Sequence, residues 1–180
     1  MHSDDTLEQL LARVQLGDRA AFASLYLATN AKLFGICLRI LKQRPLAEEA
    51  LQEVYVKIWY KADSYYQNRS KPITWMARVA HNHAIDRLRT QKPATIELDK
   101  VMDIADKNPS PEQNTIAGDQ NRKLADCLDE LNEIHARAVK LAYLDGYTYE
   151  EIGANISTPV NTVKTWVRRS LLKLKDCMNR

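Results

Sequence analysis

Apolar residues along this chain recur at steps of three and four, and β-branched runs that alternate apolar with polar positions are absent. That period marks helices with one buried stripe each. Leu7, Leu10, Leu11 and Val14 predict a first helix, ended by Gly17. Asp18 suits the N-cap of a second, which carries Phe22, Leu25 and Tyr26. Leu33, Cys37, Ile40 and Leu41 continue the pattern up to Pro45. A third helix, 46–62, buries Ala47, Ala50, Leu51, Val54, Ile58 and Trp59. The polar stretch DSYYQNRSK, 63–71, reads as a loop, and Ser70 and Pro72 then open a long helix to about Leu88.

The texture changes after Arg89. Residues 93–117 contain Pro93, Pro109 and Pro111 and show no sustained apolar period. Glu97, Asp99, Asp103, Asp106 and Glu112 outnumber the lysines there, so the stretch reads as a flexible acidic linker. Helical spacing resumes at Leu124, Cys127, Leu128 and Leu131, continues through Ala138, Leu141 and Ala142, and breaks at Gly146. The pattern predicts an all-α chain of two small helical domains, 1–92 and 118–180, on either side of the linker.

The second domain has a finer signature. Thr148-Tyr149-Glu150-Glu151 is a capping box, in which the Thr148 hydroxyl and the Glu151 carboxylate each serve the other's backbone N–H. The short helix it opens turns Ile152 and Ile156 inward, and Ser157 and Thr158 make a turn. Thr158 is the expected N-cap of the last helix and Pro159 its expected first residue. Val160, Val163, Val167, Leu171 and Leu174 form that helix's buried stripe. Short helix, tight turn and longer basic helix is the layout of a helix-turn-helix, whose second helix enters the major groove. Asn161, Thr162, Lys164, Thr165, Arg168 and Arg169 lie off the stripe and would face DNA. Arginine can hold guanine at O6 and N7, and threonine can meet a base edge or a thymine methyl. Lys173 and Lys175 lie further along, at phosphate or in solvent. A solvated basic face is the plainer alternative, because cations are favourable near a helix C-terminus anyway. Gly153 is weak for a helix interior but permits close packing on the recognition helix.

Composition narrows the setting. The 180 residues are 45% hydrophobic and 27% charged, enough apolar content to fold, and the net charge of +3 is too mild to prove a nucleic-acid partner. Three widely spaced cysteines, Cys37, Cys127 and Cys177, fit no zinc spacing. Three thiols suit a reducing cytoplasm better than a secreted disulfide scaffold. The N-terminus lacks a signal-peptide core, and no apolar run is expected to reach membrane-spanning length. Metal binding is not expected, because His81 and His83 stand two apart and do not share a helix face; one should be packed and one exposed. No Ser/His/Asp set, phosphate-cradling glycine loop or metal cluster suggests an enzyme, and no cofactor or small-molecule substrate is implied.

Residues 47–89 carry a more specific pattern: Gln52-Glu53-Val54-Tyr55, Lys57 and Trp59, then Trp75-Met76-Ala77-Arg78-Val79-Ala80-His81-Asn82, then Asp86-Arg87-Leu88-Arg89. This resembles the second conserved region of bacterial sigma factors of the extracytoplasmic-function group. The stretch LDGYTYEEIGANISTPVNTVKTWVRRSLLKLK, ending at Lys175, resembles the family's fourth region. Here Ser157 aligns with a position the family usually gives to glycine, so that turn either avoids positive φ or tolerates it at some cost.

The resemblance implies a cytoplasmic factor that binds core RNA polymerase and directs promoter-specific initiation. Region 2 would dock on the β′ clamp helices and recognise the minus-ten element; region 4 would bind the β flap and read the minus-thirty-five element. Family members are commonly held by an anti-sigma factor, often a membrane-bound one, although this chain itself is not expected to insert. Glu49, Gln52, Glu53, Val56 and Tyr60 lie away from the buried stripe of helix 46–62, and an acidic, partly aromatic strip suits a protein partner; a plain solvated face is the alternative. Tyr65, Asn68, Arg69 and Lys71 in the loop would hold a base flipped from the minus-ten strand, which costs a few kcal/mol to extrude. Partial packing at the loop base is the alternative for Tyr65 and Tyr66. Arg78, Asn82 and Arg89 share a helix face that could contact that strand, with Asp86 as an intramolecular brace. Trp59 and Trp75 belong to the core. The linker carboxylates would either imitate phosphate within polymerase or act as a solvated tether. A dimeric helix-turn-helix regulator that binds a palindrome without polymerase is the rival reading.

Overall fold

The computed structural model describes residues 6–91 and 115–180, without the side chains of 115–118, 120 and 121. The chain divides into two compact units, Met1–Lys92 and Pro93–Arg180, and the expected linker falls almost wholly outside the described residues. Among the described residues there are eight α-helices and no strand.

The first unit holds α1 (Leu7–Gln15), α2 (Arg19–Leu41), α3 (Arg44–Lys61), a 3-10 turn (Ala62–Ser64) and α4 (Pro72–Gln91). Thr6 and Gln9 cap α1 reciprocally. Gly17 at φ 81 closes α1, with the Asp18 N–H on the Arg13 carbonyl. Asp18 then caps α2 through the amides of Ala20 and Ala21, and these N–H groups, with Arg13, hold its carboxyl below the usual range. Pro45 sits within the first turn of α3, where a missing N–H is harmless, so α3 begins two residues before the expected start.

α2 packs against α1, α3 and α4 and supplies the spine of the core. Leu11, Leu25, Leu33, Val54, Ile58 and Met76 are fully buried. Thr29 gives its proton to the Leu25 carbonyl at 2.7 Å, so the Tyr55 hydroxyl, 2.6 Å away, donates to Thr29. Burial pushes the Tyr55 phenol up to about 12. Phe22 meets Tyr55 and Trp59 edge-on, which places Trp59 in the core margin and not on a partner surface. By length and composition α2 is apolar enough to cross a membrane, contrary to the sequence expectation, because few charges interrupt its alanines and leucines. One face of it is nonetheless committed to this core.

The second unit holds α5 (Thr115–Asp129), α6 (Glu133–Tyr143), α7 (Tyr149–Asn155) and α8 (Val160–Met178). α5, α6 and α7 all pack on α8. α5 starts three residues before the expected domain boundary. Leu141, Ile152, Val163 and Val167 are fully buried around α8. The expectation of three thiols is overturned: Cys127 of α5 and Cys177 of α8 form a disulfide with Cα atoms 5.9 Å apart. Their sequence separation of 50 conceals this closeness, which the packing of α5 on α8 creates. Only Cys37 is a free thiol, buried and pushed up to about 11. Arg180 and Glu130 pair at 2.7 Å just beyond the C-terminal ends of the same two helices.

Candidate docking and nucleic-acid interfaces

On α3 the residues Glu49, Gln52, Glu53, Val56 and Tyr60 are all exposed. Steps of three and four place them on one strip. The carboxylates on it are not free. Arg87 of α4 reaches Glu49 at 2.8 Å through Nη2 and Glu53 at 3.2 Å through Nη1. His83 Nε2 stands 2.6 Å from the other Glu53 oxygen, short but poorly aligned for a hydrogen bond. The Lys57 ammonium lies 2.8 Å from His83 Nδ1. Lysine has only protons to give, so Nδ1 is the acceptor and the neutral ring carries its proton on Nε2, toward Glu53. Burial, then the Lys57 charge, holds His83 below its ordinary value, and Glu53 opposes them. His83 is the packed member of the histidine pair; His81 is half-buried and not fully exposed as expected.

The loop between α3 and α4 separates its two tyrosines. Tyr65 is only 7% exposed, lies 5.7 Å from Trp75 and donates to the Ser70 carbonyl at 2.9 Å. Its ring therefore packs the loop base and is not open to stack on a base, which corrects the sequence assignment. Tyr66 is 56% exposed with the Arg69 guanidinium 5.2 Å over its ring. Asn68, Arg69 and Lys71 are exposed beside it. Gln15 of α1 donates to the carbonyls of Ala62 and Tyr65, clamping the loop's start, a role that nothing in its local sequence announces. Arg78, Asn82, Asp86 and Arg89 are exposed along α4. The brace expected of Asp86 does not form among the described residues; Arg87, one position on, makes the ion pairs instead.

In the second unit the Thr148–Glu151 capping box forms as expected. The turn after α7 is tight because the Thr158 N–H bonds to the Gly153 carbonyl at 2.8 Å. A Cβ on Gly153 would stand 2.7 Å from the Thr158 carbonyl oxygen, so only glycine fits there. Ser157 takes the left-handed position at φ 51. Two expectations shift by one residue. Pro159, with ψ 140, is the N-cap of α8 and not its first helical residue. Thr158 does not cap; its hydroxyl donates to the Ile156 carbonyl. Asn161, Lys164, Thr165, Arg168 and Arg169 are exposed on α8, and Thr162 is half-buried. The Thr165 hydroxyl donates to the Asn161 carbonyl and keeps its acceptor lone pairs for an outside donor. Trp166 stacks on His135 of α6 at 4.8 Å, which steadies the helix from behind. The cations of Lys164, Arg168 and Lys175 rim an open apolar groove of about 360 Å³ floored by Val167 and Leu171.

Comparison with known proteins assigns both units. Residues 25–93 match the Sigma-70 region 2 family and residues 121–174 match the Sigma-70 region 4 family. The ECF RNA polymerase sigma factor SigK of Mycobacterium ulcerans is 31% identical over 97% of this chain and 95% of that protein. SigK of Mycolicibacterium vanbaalenii is 30% identical over 96% of this chain and 89% of its own length. Among solved structures, the sigma factor RpoE of Bartonella quintana, in complex with the anti-sigma factor NepR, aligns over 88% of this chain and 96% of that one. Its TM-score is 0.39 at 18% identity.

Proposed function

This chain belongs to the ECF RNA polymerase sigma factors, and from that premise we propose how its two units share the work. As a transcription initiation factor it binds core RNA polymerase and promoter DNA and directs promoter-specific initiation. The first unit docks through the α3 strip of Glu49, Gln52, Glu53, Val56 and Tyr60 and engages the minus-ten strand through Tyr66, Asn68, Arg69, Lys71, Arg78, Asn82 and Arg89. The second unit reads the minus-thirty-five element through Asn161, Thr162, Lys164, Thr165, Arg168 and Arg169. The bond-making chemistry is the polymerase's, and this chain contributes only binding, in the cytoplasm where polymerase works.

The observation that carries this division is the contrast between two exposed helix faces. The strip on α3 is acidic and partly apolar, and phosphate would repel it. The outer face of α8 is cationic and amide-bearing, which suits base edges and phosphate. Paired variants test it. Arg168→Ala or Arg169→Ala should cut promoter-specific transcription roughly tenfold or more, the scale of a lost bidentate base contact, with core binding kept. Gln52→Ala with Glu53→Ala should weaken core binding first. Identical behaviour of the two classes would refute the division.

A further inference from the structure

The Glu49–Arg87–Glu53–His83–Lys57 chain is absent from any reading of the helices taken singly. On α3 the members 49, 53 and 57 follow one another at steps of four, and on α4 so do 83 and 87. Each α4 side chain sits between two of α3: Arg87 between Glu49 and Glu53, His83 between Glu53 and Lys57. The two helices are laced through five polar side chains in one line.

The burial along the line is uneven. The Arg87 side chain is 20% exposed and that of His83 8%. The side chains of Glu49 and Glu53 keep 63% and 53% of their surface open. The inner groups are thus held by packing, and the outer carboxylates are both held and accessible. A lone surface glutamate samples many rotamers and loses that freedom when a partner binds. Here Arg87 takes one oxygen of each glutamate in a forked arrangement, and the second Glu53 oxygen stands against His83 Nε2.

We propose that Arg87, supported by His83, is a positioning residue for polymerase docking: from α4 it holds Glu49 and Glu53 of α3 in the orientation that core RNA polymerase engages. The inference rests on the reading of α3 as the docking face. It also implies that what Glu53 contributes to docking depends on Arg87. Half-exposed ion pairs contribute little to folding, so the line should matter more to docking than to stability.

The test titrates labelled full-length chain with core RNA polymerase and follows fluorescence anisotropy, with thermal unfolding measured in parallel. The variants are Arg87→Met, which keeps the packed aliphatic stem, Arg87→Lys, Glu53→Ala, Arg87→Met with Glu53→Ala, and Tyr60→Ala as an independent probe of the docking face. Arg87→Met should weaken core binding roughly tenfold, Arg87→Lys less, and both should melt near the parent. Combined with Glu53→Ala, Arg87→Met should lose much less than the product of the two single effects. If Tyr60→Ala weakens binding while Arg87→Met binds like the parent, or if the Arg87 and Glu53 effects multiply in full, the positioning role is overturned and the docking face stands. If Tyr60→Ala and Glu53→Ala both bind like the parent, the docking face itself is overturned and the inference with it. Should Arg87→Met unfold, the same cycle run with Arg87→Lys decides.

Discussion

Ser157 holds a left-handed backbone, φ 51, in the turn between α7 and α8. A side chain there pays a steric cost that glycine avoids. Ser157→Gly should therefore stabilise the second unit by up to about 1 kcal/mol, read as slower amide exchange in α7 and α8 of the full chain. Faster exchange would show that the serine side chain contributes something the backbone argument omits. The position was legible in advance as an oddity, because serine stands where the resembling family writes glycine, but only coordinates decide which way φ turns. Gly153 was legible for a related reason. A glycine inside a helix needs a close neighbour, and the Thr158 carbonyl is that neighbour. Tyr65 and Tyr66 show the opposite case. Adjacent identical residues in a loop cannot be told apart by period, and packing against Trp75 sends one inward and leaves the other out.

Helix by helix, the buried stripes were readable, since a period of 3.6 specifies which side faces a core. What faces what across a pair of helices was not, because the period carries no register between elements. The α3–α4 line and the Cys127–Cys177 bridge are both of this kind: each partner is visible in the sequence and the pairing is not. The line has a consequence for acid sensitivity. His83 takes up its proton at lower pH in the folded chain than when unfolded, chiefly because of burial and then Lys57, with Arg87 adding to Lys57 and Glu53 opposing. The unfolded chain therefore binds more protons over that interval, and stability falls as pH drops. The contribution is complete above the ordinary value of 6.5 and is lost between there and the lowered folded value. Thermal midpoints of the first unit should decline as pH falls from about 7 toward 5, and His83→Gln should flatten that decline. An identical slope in the variant would assign the acid sensitivity to other groups.

For the whole molecule, two units with separate cores carry two chemically distinct faces, and a net charge of only +3 conceals the contrast. Composition alone would have missed a nucleic-acid partner, because the acidic strip of α3 offsets the basic face of α8. The family resemblance was readable from motifs covering both units in the expected order, and the relatives that align over nearly the full chain agree with it. Individual base contacts were not readable, since exposure and charge identify a face without identifying the base each side chain meets. Gel filtration of the full chain mixed with bacterial core RNA polymerase tests whether this chain works as a part of the polymerase. Stable co-elution with core is the predicted result; folded chain eluting apart from a competent core would contradict it and favour a helix-turn-helix regulator that acts alone.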